Sequence, residues 1–197
     1  MQERWRNMLA VVFGAAVAGA GAVIAFDSTR FVRREYKVYS DKIKKGCKIV
    51  LLSDLHNKRY GQDNRKLLEE IDRINPDVVL TAGDMMTANE GKTCCFVPIR
   101  LFGHLAEKYP VYYGMGNHEY RMKVYRKAYG DMFDVYKKEL KEYGVRFLEN
   151  ERVYLPEYNI EICGLEIERY LYKRWFRKPM EEGYIECLLG KAKEERF

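Results

Sequence analysis

The strongest constraint on the fold of this 197-residue chain is a repeated succession of short apolar runs and helical patterns. Continuous apolar runs at Lys48–Ser53, Asp77–Ala82 and Val111–Tyr113 are typical of strands that are buried on both faces. Between these runs, apolar residues recur at three- and four-residue spacing, as on one face of a helix. Strands that alternate with helices predict an α/β fold with a largely parallel sheet.

The pattern continues beyond the third strand. Apolar and aromatic residues between 125 and 143 predict a helix that Gly130-Asp131 divides in two. Three further strands are predicted, the last of them alternating and half-exposed, at Val145–Leu148, Arg152–Leu155 and Asn159–Ile167. We expect a final helix over Gly183–Arg196.

Before the first strand lies an apolar run, Leu9 to Phe26, with no charged or strongly polar side chain. As a helix rising ~1.5 Å per residue, it would be ~27 Å long, close to the ~30 Å hydrocarbon core of a bilayer. A secretory signal has a shorter apolar core, although Ala20-Gly21-Ala22 offers small residues for a cleavage site. We therefore expect residues 1–28 to form an N-terminal membrane anchor or signal-like helix, with residues 9–26 in the membrane as a single transmembrane helix.

The positive charge of the chain is concentrated in one segment. Eight basic residues and only two acids lie between Arg30 and Lys48, which accounts for the whole net charge of +6. Such a segment after an apolar run suits anionic lipid headgroups, whereas a nucleic-acid-binding domain spreads its basic residues over a folded face. We interpret residues 29–46 as a basic connector and expect no nucleic-acid binding.

Two features of the sequence, its basic residues and its cysteines, indicate on which side of the membrane the C-terminal domain lies. Basic residues are more numerous after the apolar run than before it, which favours a cytoplasmic C-terminal domain. The five cysteines are odd in number and form no CxxC pair, so a disulfide framework is not expected. We therefore expect a single-pass membrane protein whose C-terminal domain is on the cytoplasmic side.

Each of the first three strands runs into a polar cluster: Ser53-Asp54-Leu55-His56-Asn57, Gly83-Asp84, and Gly114-Met115-Gly116-Asn117-His118-Glu119. Taken singly, an aspartate after a strand is more often a helix cap or a turn residue. Ligands of open α/β sheets, however, bind beyond the carboxyl ends of the strands, so the three clusters point to one place.

The residue types in these clusters suit divalent metal ions, which carboxylate oxygens, imidazole nitrogens and amide oxygens coordinate. Two ions ~3.5–4 Å apart can clamp the attacking and leaving oxygens of a phosphoryl displacement. The predicted metal ligands are Asp54, His56, Asp84 and Asn117. His118 is the predicted general acid, which protonates the leaving alkoxide.

In order along the chain, the three clusters read DxH, GD and GNH[DE]. In these motifs the chain resembles the calcineurin-like metallophosphoesterases, over roughly Lys48 to Phe197. The Ser53–Asn57 sequence and the N-terminal apolar segment resemble the membrane-anchored bacterial branch. That branch includes phosphodiesterases and the hydrolases that cleave UDP-diacylglucosamine.

The resemblance implies a four-layer α/β/β/α sandwich, with two metal ions at the edge of two packed sheets. Asp54 and His56 would hold the first ion, Asp84 would bridge both, Asn117 would hold the second, and His118 would be the catalytic acid. The implied cofactors are two divalent ions of the Mn, Fe or Zn class. The implied substrate is a phosphomonoester, phosphodiester or pyrophosphate, with lipid-linked esters among the candidates.

The chain departs from the family in its histidines. The family has a later histidine and a GHxH motif, whereas this chain has only His56, His104 and His118. We therefore interpret residues 47–197 as an incomplete, C-terminally truncated calcineurin-like phosphoesterase domain. The alternative is a non-catalytic, membrane-anchored remnant of that fold. His104 falls on the predicted apolar face of its helix, so we expect it to be a core residue.

Overall fold

The computed structural model describes the backbone of residues 2–28, 30–172 and 179–197, and within these ranges all side chains except those at 2–3, 7–11, 16, 24–28 and 169. Helix α1 spans Gln2–Ser28. Over the described residues, no helix is both long enough and apolar enough to cross a membrane. The transmembrane helix predicted over residues 9–26, some of whose side chains lie outside the described part, is therefore not supported.

The main sheet consists of four parallel strands paired in chain order, β1 (Ile49–Leu52), β2 (Val78–Thr81), β3 (Val111–Tyr113) and β4 (Arg146–Phe147). The crossovers contain α2 (Arg65–Ile74), α3 (Phe96–Ala106), and then α4 (Asn117–Val124), α5 (Arg126–Tyr129) and α6 (Met132–Glu142). The predicted α/β fold with a parallel sheet is confirmed. Because all the strands are parallel, their carboxyl ends lie along one edge of the sheet.

The helices begin and end where backbone conformation requires it. Asn75 ends α2 in the left-handed region (φ 50°), directly before Pro76, and its N–H donates to the Ile71 carbonyl at 3.0 Å. Gly130, with φ of 59°, separates α5 from α6, as the sequence predicts.

The core lies on one face of the main sheet. Val79, Tyr113 and Phe147 point to this face and are buried together with the inner sides of α2, α3 and α6. Residues at odd and even positions of a strand point to opposite faces. On the opposite face, Leu51 is 63% exposed and Ile49 40% exposed.

The second sheet of the described residues is a hairpin of two antiparallel strands, β5 (Glu151–Leu155) and β6 (Ile160–Gly164). A short 3-10 helix, Arg169–Tyr172, and α7 (Tyr184–Leu189) follow it. The predicted helix over Gly183–Arg196 is therefore wrong beyond Leu189. Gly190 ends it with a φ of 77°, and no apolar face continues into the charged residues that follow.

The connector before β1 lies against the folded domain. Residues 30–46 contain no helix or strand. The Phe31 ring contacts that of Tyr60 at 5.2 Å between centroids, and Arg33 forms an ion pair with Glu70 on α2 at 2.9 Å. Further along, the Lys44 N–H donates to the Tyr158 carbonyl at 3.0 Å.

Candidate metal centre

The loops that follow β1 and β2 are joined through their backbones. The Asp54 N–H donates to the Gly83 carbonyl at 3.2 Å, and the His56 N–H donates to the Asp84 carbonyl at 3.0 Å. The loop after β3 meets the same place, because the His118 N–H donates to Oδ1 of Asp84 at 2.8 Å. The structure thus brings together the three polar clusters that the sequence places at the ends of separate strands.

Three of the predicted site residues have a left-handed backbone conformation. The φ angles are 57° at Asp54, 48° at His56 and 57° at Asp84. Residues with a side chain rarely adopt this conformation, and such backbone strain is concentrated at functional sites. At Asp54, His56 and Asp84 this conformation accompanies the backbone hydrogen bonds that bring the loops together.

Two glycines let the loops after β2 and β3 approach each other closely. A Cβ atom at Gly83 would lie 1.8 Å from the backbone nitrogen of Gly116. A Cβ atom at Gly116 would lie 2.4 Å from Oδ1 of Asp84. Any side chain at these two positions would push Asp84 away from the start of α4.

The Asp84 carboxylate lies at the N-terminus of α4, where the helix presents unpaired N–H groups. Gly116 is the residue before the helix and has no side chain to cap it, and Asp84 accepts the His118 N–H instead. The helix dipole and this hydrogen bond both stabilise the negative charge of the carboxylate.

The second oxygen of Asp84 faces the side-chain amide of Asn117. With its nitrogen toward Asp84, the amide donates to Oδ2 at 2.9 Å, and its oxygen accepts the His118 N–H at 3.2 Å. The Asn117 amide therefore lies in direct contact with the Asp84 carboxylate.

His56, Asp84 and His118 form the tightest cluster, because one ligand atom from each lies within 4.8 Å of the others. Asp54 lies next to this cluster, with its Oδ1 3.5 Å from Nε2 of His56 and its side chain 65% exposed. Beside His56, the buried Oδ1 of Asn57 has no hydrogen-bond partner among the described residues. Carboxylate, imidazole and amide donors of this kind fit a divalent ion of the Mn, Fe or Zn class.

The His118 ring is held by a backbone group rather than by a carboxylate. Its Nδ1 accepts the N–H of Ala88 at 2.9 Å, so in the neutral ring the proton is on Nε2. Burial lowers the pKa of His118 below its ordinary value of 6.5, which favours that neutral ring. A nitrogen that carries a proton has no lone pair for a metal, so this geometry favours a hydrogen-bond donor over a metal ligand.

Two further residues near the site, Glu119 and Tyr172, are not among the site residues that the sequence predicts. Glu119 is fully buried, and it accepts the backbone N–H groups of Asp84 and Gly116. The Tyr172 ring packs against that of Tyr120 in a tilted arrangement, with 5.5 Å between ring centroids. Burial and the nearby Asp84 charge raise the pKa of Tyr172 to about 12, so it is protonated at neutral pH. The sequence signal for Glu119 is its place as the third residue of α4, where an acidic side chain caps a helix.

His104 is not part of the core, contrary to expectation. The side chain is exposed, while Leu101 and Leu105 on the same helix are buried. His104 lies roughly 100° around the helix from Leu105, beyond the edge of the buried face. His104 is therefore a suitable control for substitutions of His118, since it lies outside the site.

A family model described as calcineurin-like phosphoesterase matches residues 47–187. An uncharacterized metallophosphoesterase of Helicobacter pylori strain J99 is 33% identical over 90 residues, which are 44% of this chain and 24% of that protein. Its counterpart in strain 26695 is 32% identical over the same shares of the two chains. An uncharacterized metallophosphoesterase of Campylobacter jejuni is 31% identical over 80 residues, 40% of this chain and 21% of that protein. The matched region thus spans about a quarter of the length of these relatives.

Proposed function

We propose that this chain, which belongs to the calcineurin-like phosphoesterase family, is a metal-dependent hydrolase of phosphate esters. The observation that carries the proposal is the convergence of His56, Asp84 and His118 within 4.8 Å at the carboxyl ends of the parallel strands. The residues matched by the family model include all three motifs. Phosphomonoesters, phosphodiesters and pyrophosphates are the proposed substrate class.

Four residues are proposed to hold two divalent ions. Asp54 and His56 would hold the first ion, Asn117 would hold the second, and Asp84 would bridge both. In support, Oδ1 of Asp54 lies 3.5 Å from Nε2 of His56, and Oδ2 of Asp84 faces the Asn117 amide. Such ions, when bound, polarise the phosphoryl group and lower the pKa of water. The Asp84 N–H donates to Oε2 of Glu119, and the Asp84 carboxylate accepts the His118 N–H of α4, so both the backbone and the side chain of Asp84 are held.

His118 is proposed as the catalytic acid that serves the leaving group. Its Nδ1 is occupied by the Ala88 N–H, which leaves Nε2–H as the donor of the ring. As negative charge develops on the leaving oxygen of the ester, the neutral ring can donate a hydrogen bond to it from Nε2–H. Full transfer of a proton as a general acid uses the imidazolium form, in which Nδ1 also carries a proton and no longer accepts the Ala88 N–H. The ring centroids of His118 and His56 are only 5.0 Å apart, so the donor lies next to the proposed metal ligands.

The finer architecture, the cellular setting and the natural substrate stay predictions. The exposed face of the main sheet around Leu51, 63% exposed, supports the proposal that a second sheet packs there in a four-layer sandwich. Attachment to a membrane through residues 9–26 and lipid-linked esters as substrates rest on the sequence alone. The cytoplasmic side of the domain likewise rests on the sequence.

The function is tested by hydrolysis of an aryl phosphodiester by the full chain with added Mn²⁺. We expect turnover that falls about 10²- to 10⁴-fold in His118→Ala, the range for loss of a general acid. His104→Ala is the matched control, since it removes an exposed histidine outside the site. Equal turnover in His118→Ala and the parent would contradict the assigned role. No turnover in the parent would favour the non-catalytic remnant.

A further inference from the structure

Glu119 is the most completely buried acidic side chain of the described residues, with none of its surface exposed. A buried carboxylate is costly unless each of its oxygens has hydrogen-bond donors. Here both oxygens have two. Oε2 accepts the Asp84 N–H at 2.9 Å and the Gly116 N–H at 3.0 Å. Oε1 accepts the Met85 N–H at 3.0 Å and the hydroxyl of Tyr113 at 2.7 Å.

These four donors come from three separate parts of the chain. Asp84 and Met85 belong to the loop after β2, Gly116 to the loop after β3, and Tyr113 to β3 itself. One carboxylate therefore connects the loop that carries Asp84 to the start of the helix that carries Asn117 and His118. It does so at the point where Gly83 and Gly116 leave no room for a side chain.

The tyrosine end of the network keeps the donors fixed. The hydroxyls of Tyr113 and Tyr136 lie 2.8 Å apart, and both side chains are fully buried. Burial raises the pKa of both tyrosines well above 10, so both hydroxyls are protonated at neutral pH. Tyr113 can then donate to Glu119 while it accepts from Tyr136.

We infer that Glu119 is a positioning residue of the metal centre, whose carboxylate fixes the Asp84 loop against Asn117 and His118. The inference rests on the proposed function, because it concerns the same ion-binding residues. Glu119 touches neither ion nor substrate in this role and acts through Asp84. Substitution of a residue that holds a metal ligand in place through hydrogen bonds typically lowers the metal affinity about 10- to 100-fold.

The variant that isolates the carboxylate is Glu119→Gln, which keeps the shape of the side chain. A glutamine has one acceptor oxygen and one NH₂ group, which only donates. In either orientation, its NH₂ group faces at least one backbone N–H that donates to the carboxylate in the parent. At least one of the Asp84, Met85 and Gly116 N–H groups then loses its acceptor. The loops are expected to separate there, with the Asp84 oxygens displaced from Asn117.

The experiment is titration of the full chain with Mn²⁺, with the dissociation constant measured by calorimetry. We expect Glu119→Gln to bind Mn²⁺ about 10- to 100-fold more weakly than the parent. Amide NMR without metal should show the proton resonances of Asp84, Met85 or Gly116 moving to lower frequency, because a charge-assisted hydrogen bond is lost. A merely structural residue would not shift these particular amides.

The control is Leu140→Ala, which opens a cavity in the core on α6 and lowers the melting temperature without touching the loops. It should bind Mn²⁺ as the parent does. If Glu119→Gln does not fold, Tyr113→Phe removes one donor from the intact carboxylate and should weaken Mn²⁺ binding about two- to tenfold.

Three results would overturn the inference. The first is parent-like Mn²⁺ affinity in Glu119→Gln, or in Tyr113→Phe where the glutamine variant is unfolded. The second is an equal loss of affinity in Leu140→Ala. The third is the absence of Mn²⁺ binding by the parent. That result would overturn the proposed metal centre as well, whereas the first two overturn only the role of Glu119.

Discussion

The backbone N–H of Ala88 donates a 2.9 Å hydrogen bond to Nδ1 of His118, and this bond decides which nitrogen of the ring carries the proton. The Ala88 carbonyl is itself held, since it accepts from the hydroxyl of Tyr129 at 3.3 Å and from Arg121 at 3.4 Å. Ala88 is thus held through both its N–H and its carbonyl, which makes it a rigid support for the ring. It links the loop after β2 to the candidate catalytic histidine on α4.

This support predicts the tautomer of His118. In the metal-free protein at pH 7.5, the neutral ring should carry its proton on Nε2, because Nδ1 accepts the Ala88 N–H. The ¹⁵N chemical shifts of the two ring nitrogens, assigned with His118→Gln, report the tautomer directly. Exposed His104 supplies the reference spectrum. A neutral ring protonated on Nδ1 would show that the hydrogen bond is not formed.

A second prediction compares two glycines that both have positive φ. Gly83 (φ 85°) would place a Cβ atom 1.8 Å from the Gly116 nitrogen, whereas Gly91 (φ 67°) has nothing within 4 Å of that position. Gly91→Ala should lower the free energy of unfolding by only about 1–2 kcal/mol, the cost of a left-handed backbone for a residue with a Cβ atom. Gly83→Ala should lower the melting temperature further and abolish Mn²⁺ binding, since the Asp84 and Gly116 loops must separate.

Thermal melts of the two variants, with and without Mn²⁺, decide the comparison. Equal effects of the two substitutions would mean that the close approach of Gly83 to Gly116 does not matter for the fold or for the ion-binding residues.

The pH dependence of stability should reveal Glu161 in the β5–β6 hairpin. Burial raises the pKa of this carboxyl, but hydrogen bonds from Arg152 and Arg196 lower it more, so the net pKa is below the ordinary 4.5. The folded state therefore favours the charged form. Its contribution to stability is fully present above about pH 4.5 and is lost as the pH falls through the lowered pKa.

Glu161→Gln should thus destabilise the protein at pH 7 by about 1.5–3 kcal/mol, the range for a hydrogen bond to a charged group. Its melting temperature should also depend less on pH below 4.5 than that of the parent. Glu142→Gln, at a position whose side chain is 65% exposed, is the control and should change neither quantity. A parent-like pH profile for Glu161→Gln would contradict the assignment.

The sequence predicted the main sheet well because its signals there are local. Runs such as Val111–Tyr113 are apolar on both faces, and chain-order pairing of parallel strands places their carboxyl ends together. The convergence of Asp54, His56, Asp84, Asn117 and His118 followed from that topology alone. The left-handed backbone at Asp54, His56 and Asp84 was not predicted, since those residue types do not require it.

Long-range and backbone contacts could not be predicted. The support of His118 is the N–H of Ala88, 30 residues earlier, and a backbone donor leaves no mark on the identity of its residue. Glu119 reads as a helix cap in the sequence, while three of its four donors come from the loop after β2 and from Tyr113. The position of His104 depends on where the buried face of α3 is centred, which only packing decides.

The central claim is that the loops after β1, β2 and β3 form one metal centre around Asp84, and the most direct test is Mn²⁺ binding. Equilibrium dialysis of the full chain, followed by elemental analysis, measures the Mn²⁺ bound per chain. We expect Mn²⁺ to bind to the parent and to Asp41→Ala, which changes an exposed aspartate of the connector. Binding should be lost in Asp84→Ala. A parent that binds no Mn²⁺, or Asp84→Ala that binds as much as the parent, would contradict the account.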